Sequence, residues 1–120
     1  MSQQRRTNVS LKGEVAVVRF NDKKIVDGAS IEQMGDELLS LVKDQRIHHI
    51  LLNFEGVDLL SSSALNKFIA LYKALDDVGG TLRLCNLHPD MRRVFSLTGL
   101  DTRLDIRNTE AEALKAFGIS

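Results

Sequence analysis

The chain has 120 residues, 43% of them hydrophobic and 27% charged, with a single proline. That is the size and make-up of one ordinary globular domain, and it excludes collagen-like and disordered chains. Lys plus Arg number 16 and Asp plus Glu number 16, so there is no overall positive field to draw in nucleic acid or an anionic membrane. The single cysteine, Cys85, rules out an internal disulfide framework and suits a reducing compartment. No apolar run reaches the roughly 18 residues of a membrane span, and Met1 to Asn8 lacks the apolar core of a signal peptide. The expectation is a cytoplasmic protein.

Met1–Thr7 reads as a polar, mobile tail. Glu14–Phe20 (EVAVVRF) is dense in β-branched residues and is predicted to be a strand buried on both faces. Ile25-Val26 is a short second strand, and the tight connection from Phe20 allows one antiparallel edge pair. Ser30-Ile-Glu-Gln33 has the form of a capping box. It opens an amphipathic helix over 31–43, with Ile31, Met34, Leu38, Leu41 and Val42 inward and Glu32, Asp36, Glu37 and Lys43 outside. Ile47–Phe54 is a central strand. Ser61-Ser62-Ser63 then precedes a helix whose apolar face is Leu65, Phe68, Ile69, Tyr72 and Leu75, ended by Gly79-Gly80. Thr81–Leu87 is the next strand. Pro89 suits the first position of a short helix with Met91, Val94 and Phe95 inward, closed by Gly99. Arg103–Ile106 is a weaker strand, and Thr109-Glu-Ala-Glu112 is a second capping box opening a last helix with Leu114 and Phe117 inward. Strands separated by single helices imply right-handed crossovers. The fold class is therefore α/β, a mostly parallel, mixed sheet of four to five strands packed with four to five helices.

The usual chemical constellations are missing. His48 and His49 are neighbours in a strand and point to opposite faces, and Cys85 with His88 is half a zinc site that nothing completes. No metal or other cofactor is expected. Cys85 reads as a buried, inert thiol rather than a nucleophile, and there is no G-x-S-x-G elbow. Neither G-x-G-x-x-G nor G-x-x-x-x-G-K-[ST] occurs, so a nucleotide-using catalyst is disfavoured. What remains is the triple serine at a strand-to-helix junction. One hydroxyl suffices for an N-cap, and the spare ones lie where α/β folds place functional groups. A phosphate there would add about −1.5 to −2 charges, and a helix N-terminus tolerates that charge.

Gly13-Glu-Val-Ala-Val-Val-Arg-Phe20, Ile50-Leu-Leu-Asn-Phe-Glu-Gly-Val57, Leu60-Ser-Ser-Ser-Ala-Leu65, Gly79-Gly-Thr-Leu-Arg-Leu-Cys-Asn86 and Val94-Phe-Ser-Leu-Thr-Gly-Leu-Asp101 together resemble the STAS domain, the module of bacterial anti-sigma factor antagonists. The resemblance runs from Val9 to Phe117 and implies a single STAS domain over 9–118, with 1–8 as a flexible tail. It implies a protein-binding switch and not an enzyme. The partner would be an anti-sigma factor that is a serine kinase of the histidine-kinase-like ATPase fold. Its binding would free a sigma factor, its phosphorylation of the antagonist would end the complex, and a serine phosphatase would restore it. The family pattern is approximately D-S-[ST]-G-[LIV]. Carried over by position, Ser62 is the phosphoacceptor, with Ser61 and Ser63 as alternates. Asp27, Ser61, Ser62, Ser63, Ala64 and Leu65 form the partner-binding set, Asp27 because the Asp27–Ser30 turn lies where the family has a recognition loop. Ser61 replaces the family aspartate and Ala64 the family glycine, where the added methyl is expected to meet an approaching partner. These departures make an adaptor that binds without phosphoryl transfer the second reading.

Overall fold

The computed structural model describes residues 5–119. The elements in chain order are β1 (Thr7–Lys12), β2 (Val15–Phe20), β3 (Lys24–Ile25), α1 (Gly28–Lys43), β4 (His49–Asn53), β5 (Leu59–Leu60), α2 (Ser62–Asp77), β6 (Thr81–Cys85), α3 (Pro89–Leu97), a 3-10 turn (Leu100–Thr102), β7 (Asp105–Arg107) and α4 (Glu110–Ala116). Five strands form one sheet in the order β1-β2-β4-β6-β7, while β3 and β5 pair separately. The β2–β4, β4–β6 and β6–β7 pairs are parallel and β1–β2 is antiparallel. This is the mixed, mostly parallel α/β sheet the alternation of elements called for.

The sheet buries both faces. Ala16, Val18, Ile50, Leu52, Leu82 and Leu84 belong to a large core shared with residues of α1, α2 and α3. Val15, Val17, Leu51 and Cys85 form a smaller core with Ala113 of α4, against which Leu114 and Phe117 pack half-buried. Consecutive residues of β2 and β4 thus serve opposite cores, which is why their sequences are continuous apolar runs and not alternations. Phe54 and Phe68, both fully buried, meet edge to face at 5.3 Å and link the end of β4 to α2.

Several expectations are corrected. The strand β1 begins at Thr7, where a tail was expected, and it supplies the antiparallel edge pair. The two residues Gly13-Glu14 turn the chain back, with Gly13 at φ +61°. β3, expected beside β2, pairs in parallel with β5 instead. Asp27, not Ser30, caps α1: its carboxylate accepts from the Ser30 amide at 3.0 Å, so the helix starts at Gly28, three residues before the expected start at Ile31. Glu37, expected in solvent, has a side chain only 12% exposed and is turned onto β1. Val94 is 42% exposed where an inward position was expected, because Met91 and Phe95 alone complete the buried stripe of this short helix. The last strand lies at Asp105–Arg107, later than read, with Leu104 buried just before it.

Candidate functional site

The ladder between β3 and β5 builds the site. Ile25 is opposite Leu60, and the Ser61 amide donates to the Ile25 carbonyl at 3.1 Å. Two residues beyond each end of this ladder lie Asp27 and Ser62. The pairing therefore sets the starts of α1 and α2 side by side, and Lys67 of α2 reaches Glu32 of α1 at 2.9 Å.

The three serines divide their labour. Ser61 has an extended backbone, and its hydroxyl oxygen accepts from the Ala64 amide at 3.2 Å. It is the N-cap. Ser62 and Ser63 occupy the first two helical positions and are both exposed. Their hydroxyls stand among backbone N–H groups that a helix start leaves without intrahelical acceptors. An anion on either oxygen would be favoured by those groups and by the helix dipole.

The other expected partner-contacting residues separate into two kinds. Asp27 is exposed, and its carboxyl is held below the usual carboxylate range, chiefly by the Ser30 amide and also by the Ser30 hydroxyl. Leu65 is half-buried and lines an apolar groove of about 150 Å³ with Leu60, Met91, Val94 and Phe95, while Asp58 and Asp90 lie at its margin. Ala64 departs from expectation: it is fully buried in the main core, so its methyl meets the protein's own side chains and not a visitor. Sequence reasoning passed over the groove residues Leu59 and Val94, 48% and 42% exposed. Val94 stands at helical spacing from Met91, and Leu59 lies in the segment read as a loop, so nothing in the sequence marked either as a groove residue.

The remaining candidates carry no chemistry at this site. The Cys85 thiol is buried, which pushes its pKa up to about 12, with Glu110 contributing in the same direction. His88 caps α3 by accepting from the Asp90 amide at 3.2 Å. His49 lies edge to face against Phe117 at 6.0 Å. Among the described residues there is no group of three or more His, Cys, Asp or Glu side chains able to hold a metal ion, and no helix is long and apolar enough to cross a membrane.

A mixed five-stranded sheet with its serine-headed helix beside a second helix start defines an α/β module of the STAS type. The family model described as STAS domain matches residues 6–113, and the chain belongs to that family. BtrV of Bordetella bronchiseptica is 32% identical over 93 residues, spanning 78% of this chain and 79% of BtrV. The anti-sigma F factor antagonist of Paenibacillus polymyxa is 23% identical over 100 residues, 83% of this chain and 84% of its own. Among solved structures, the Bacillus cell fate determinant SpoIIAA in its phosphorylated form superposes with a TM-score of 0.73 at 25% identity, covering 92% of this chain and 98% of that one.

Proposed function

We propose that this protein is an anti-sigma factor antagonist: it binds an anti-sigma factor and so releases a sigma factor. The partner on this reading is a serine kinase of the histidine-kinase-like ATPase fold. It transfers the terminal phosphoryl group of ATP to the Ser62 Oγ, which loses its proton as ADP departs, and a serine phosphatase reverses the step. The observation that carries the proposal is the division among the serines. Ser61 is committed to the cap, and Ser62 is left exposed at the first helical position. The family's curated relatives and the phosphorylated SpoIIAA structure support the same role.

The scaffold accounts for a switch without unfolding. A phosphate on Ser62 brings about −1.5 to −2 charges to a surface that includes the neutral hydroxyl of Ser63 and the apolar groove beside Leu65. The helix N-terminus accommodates that charge, while a partner surface matched to a neutral hydroxyl would be repelled. On this reading Asp27 and Leu65 contact the same partner, and the β3–β5 pairing, which brings the starts of α1 and α2 together, supports it.

The test is direct. The protein is incubated with its cognate anti-sigma factor and ATP, and the modified residue is mapped by mass spectrometry. Label on Ser62 is expected. Label found only outside residues 61–63 would remove the assignment.

A further inference from the structure

At the pole opposite Ser62 a shallow groove of about 750 Å³ lies between the C-terminal halves of α1 and α2. Its floor is apolar: Leu39 and Val42 of α1 face Ala70, Ala74 and Val78 on the α2 side. Alanines at i and i+4 on α2 keep that side low, and Val78 is 46% exposed. The rim is basic. Lys43, Arg46 and Lys73 are all exposed and stand against a single carboxylate, Asp77. None of the three cations has an ion pair within 4.0 Å among the described residues, so all three are available to carboxylates of a partner.

Arg46 adds an independent observation. Its φ is +55°, the left-handed conformation. The turn is held by the Gln45 amide donating to the Ser40 carbonyl at 3.1 Å and the Ile47 amide to the Leu41 carbonyl at 2.9 Å. Just after a helix this position ordinarily takes glycine, because a Cβ there is strained. A long cation stands at a backbone site that disfavours it, and an outlier of this kind points toward function. Arg46 lines this same groove.

We propose that this groove docks an acidic amphipathic helix of a partner protein, independently of the state of Ser62. Aliphatic side chains of the incoming helix cover Leu39, Ala70, Ala74 and Val78, and its flanking carboxylates pair with Lys43, Arg46 and Lys73. The shape selects a protein helix over other anions. A bilayer is contacted by convex apolar surface, whereas this surface is concave, and nucleic-acid phosphates would gain nothing from an apolar floor. Ala70, the groove residue of α2 nearest to Ser62, stands about 12 Å from it along the helix axis, so an occupant that crosses the C-terminal halves of the two helices leaves the Ser62 end free. The protein can thus stay tethered while its other end cycles on and off.

The probe is a synthetic peptide of about 16 residues, long enough to hold helix, with leucines at helical spacing flanked by glutamates. Two controls exchange the glutamates for lysines or the leucines for serines. Binding to the full chain is followed by amide chemical shifts. Shifts confined to Leu39, Ala70, Ala74, Val78 and their neighbours are expected, for the acidic peptide and not for the controls. The charge-reversed pair K43E and K73E should weaken binding at least tenfold. A70R, which adds a cation but fills the floor, should weaken it as well, and R46G should weaken it while leaving the melting temperature unchanged or higher. The S62D variant should bind as the parent does. The proposal is overturned by equal binding of acidic and basic peptides, by no shifts at millimolar peptide, or by dependence on Ser62. Binding to phosphatidylglycerol vesicles that is lost in the K43E/K73E protein would likewise overturn it in favour of a lipid surface.

Discussion

Glu37, on α1, fastens Thr7, the first residue of the edge strand. Its carboxylate accepts from the Thr7 hydroxyl and amide and from the Arg6 amide, the two amide bonds being 3.0 Å each. Burial by itself would raise the Glu37 pKa, but the Thr7 hydroxyl and these amides outweigh it and hold the carboxyl below its ordinary value. A group whose folded pKa is depressed stabilises the fold above its unfolded pKa, and loses that stabilisation as pH falls through the folded value. Glu37→Gln should therefore cost about 1.5–3 kcal/mol at pH 7, the range for hydrogen bonds to a charged group. The gap to the parent should begin to close below about pH 4.3, the ordinary glutamate value. Urea unfolding at pH 7 and at pH 4 measures both, and a gap that is constant with pH would contradict the role of the charge.

The serines should separate in a stability experiment that needs no partner. Ser61→Ala removes the cap of α2 and should cost about 1 kcal/mol. Ser62→Ala and Ser63→Ala remove exposed hydroxyls and should stay within about 0.5 kcal/mol of the parent. Thermal melts of the three variants report the order, and a loss at Ser62 as large as that at Ser61 would show that its hydroxyl is not spare.

Binding to the anti-sigma factor should split two substitutions at one position. Ser62→Ala is expected to bind as the unmodified protein does. Ser62→Asp, with a lasting negative charge, should bind at least tenfold more weakly, a difference of about 1.4 kcal/mol. Titration calorimetry decides it. Equal affinities would favour the adaptor that binds without phosphoryl transfer.

Cys85 should be silent in the folded protein. With its thiol buried and its pKa raised to about 12, iodoacetamide at pH 8 should leave it unmodified for as long as the fold persists and alkylate it fully in urea, since the thiolate is the reactive form. Rapid labelling of the native state would show that the second core opens readily.

Gly80 should tolerate no side chain. A Cβ there would overlap the His48 carbonyl oxygen, which already accepts from the Thr81 amide at 2.8 Å. Gly80→Ala should destabilise by about 3 kcal/mol or prevent folding, the upper end of overpacking costs. Gly28→Ala, with open space around its Cβ position, should fold normally, and circular dichroism melts compare the two.

Much of this molecule was readable before any coordinates. Val15 to Val18 and Ile50 to Leu52 announce doubly covered strands because two cores must be fed from one sheet, and that demand is written as consecutive apolar residues. The Ser61–Ser63 run marks the start of α2, and the resemblance to STAS domains gives the family to which the chain belongs. What sequence alone passed over depends on competition between distant groups. The strand β1 has an alternating pattern, Thr7, Val9 and Leu11 against Asn8, Ser10 and Lys12, but it is weak, and its place is secured by pairing with β2 and by Glu37, 30 residues away from Thr7.

By itself the sequence determined the alternation of the central strands and helices from β2 to α4, most of the core positions on them and the presence of a serine-headed helix. These are local matters of periodicity, capping and side-chain volume. Only the tertiary structure decided which serine caps and which is spare, that Asp27 lies beside that helix start, that Ala64 faces inward, and that Arg46 joins Lys43 and Lys73 around one groove. Those outcomes follow from the β3–β5 register and the packing of α1 on α2, and register is a relation between segments that no single stretch of chain contains.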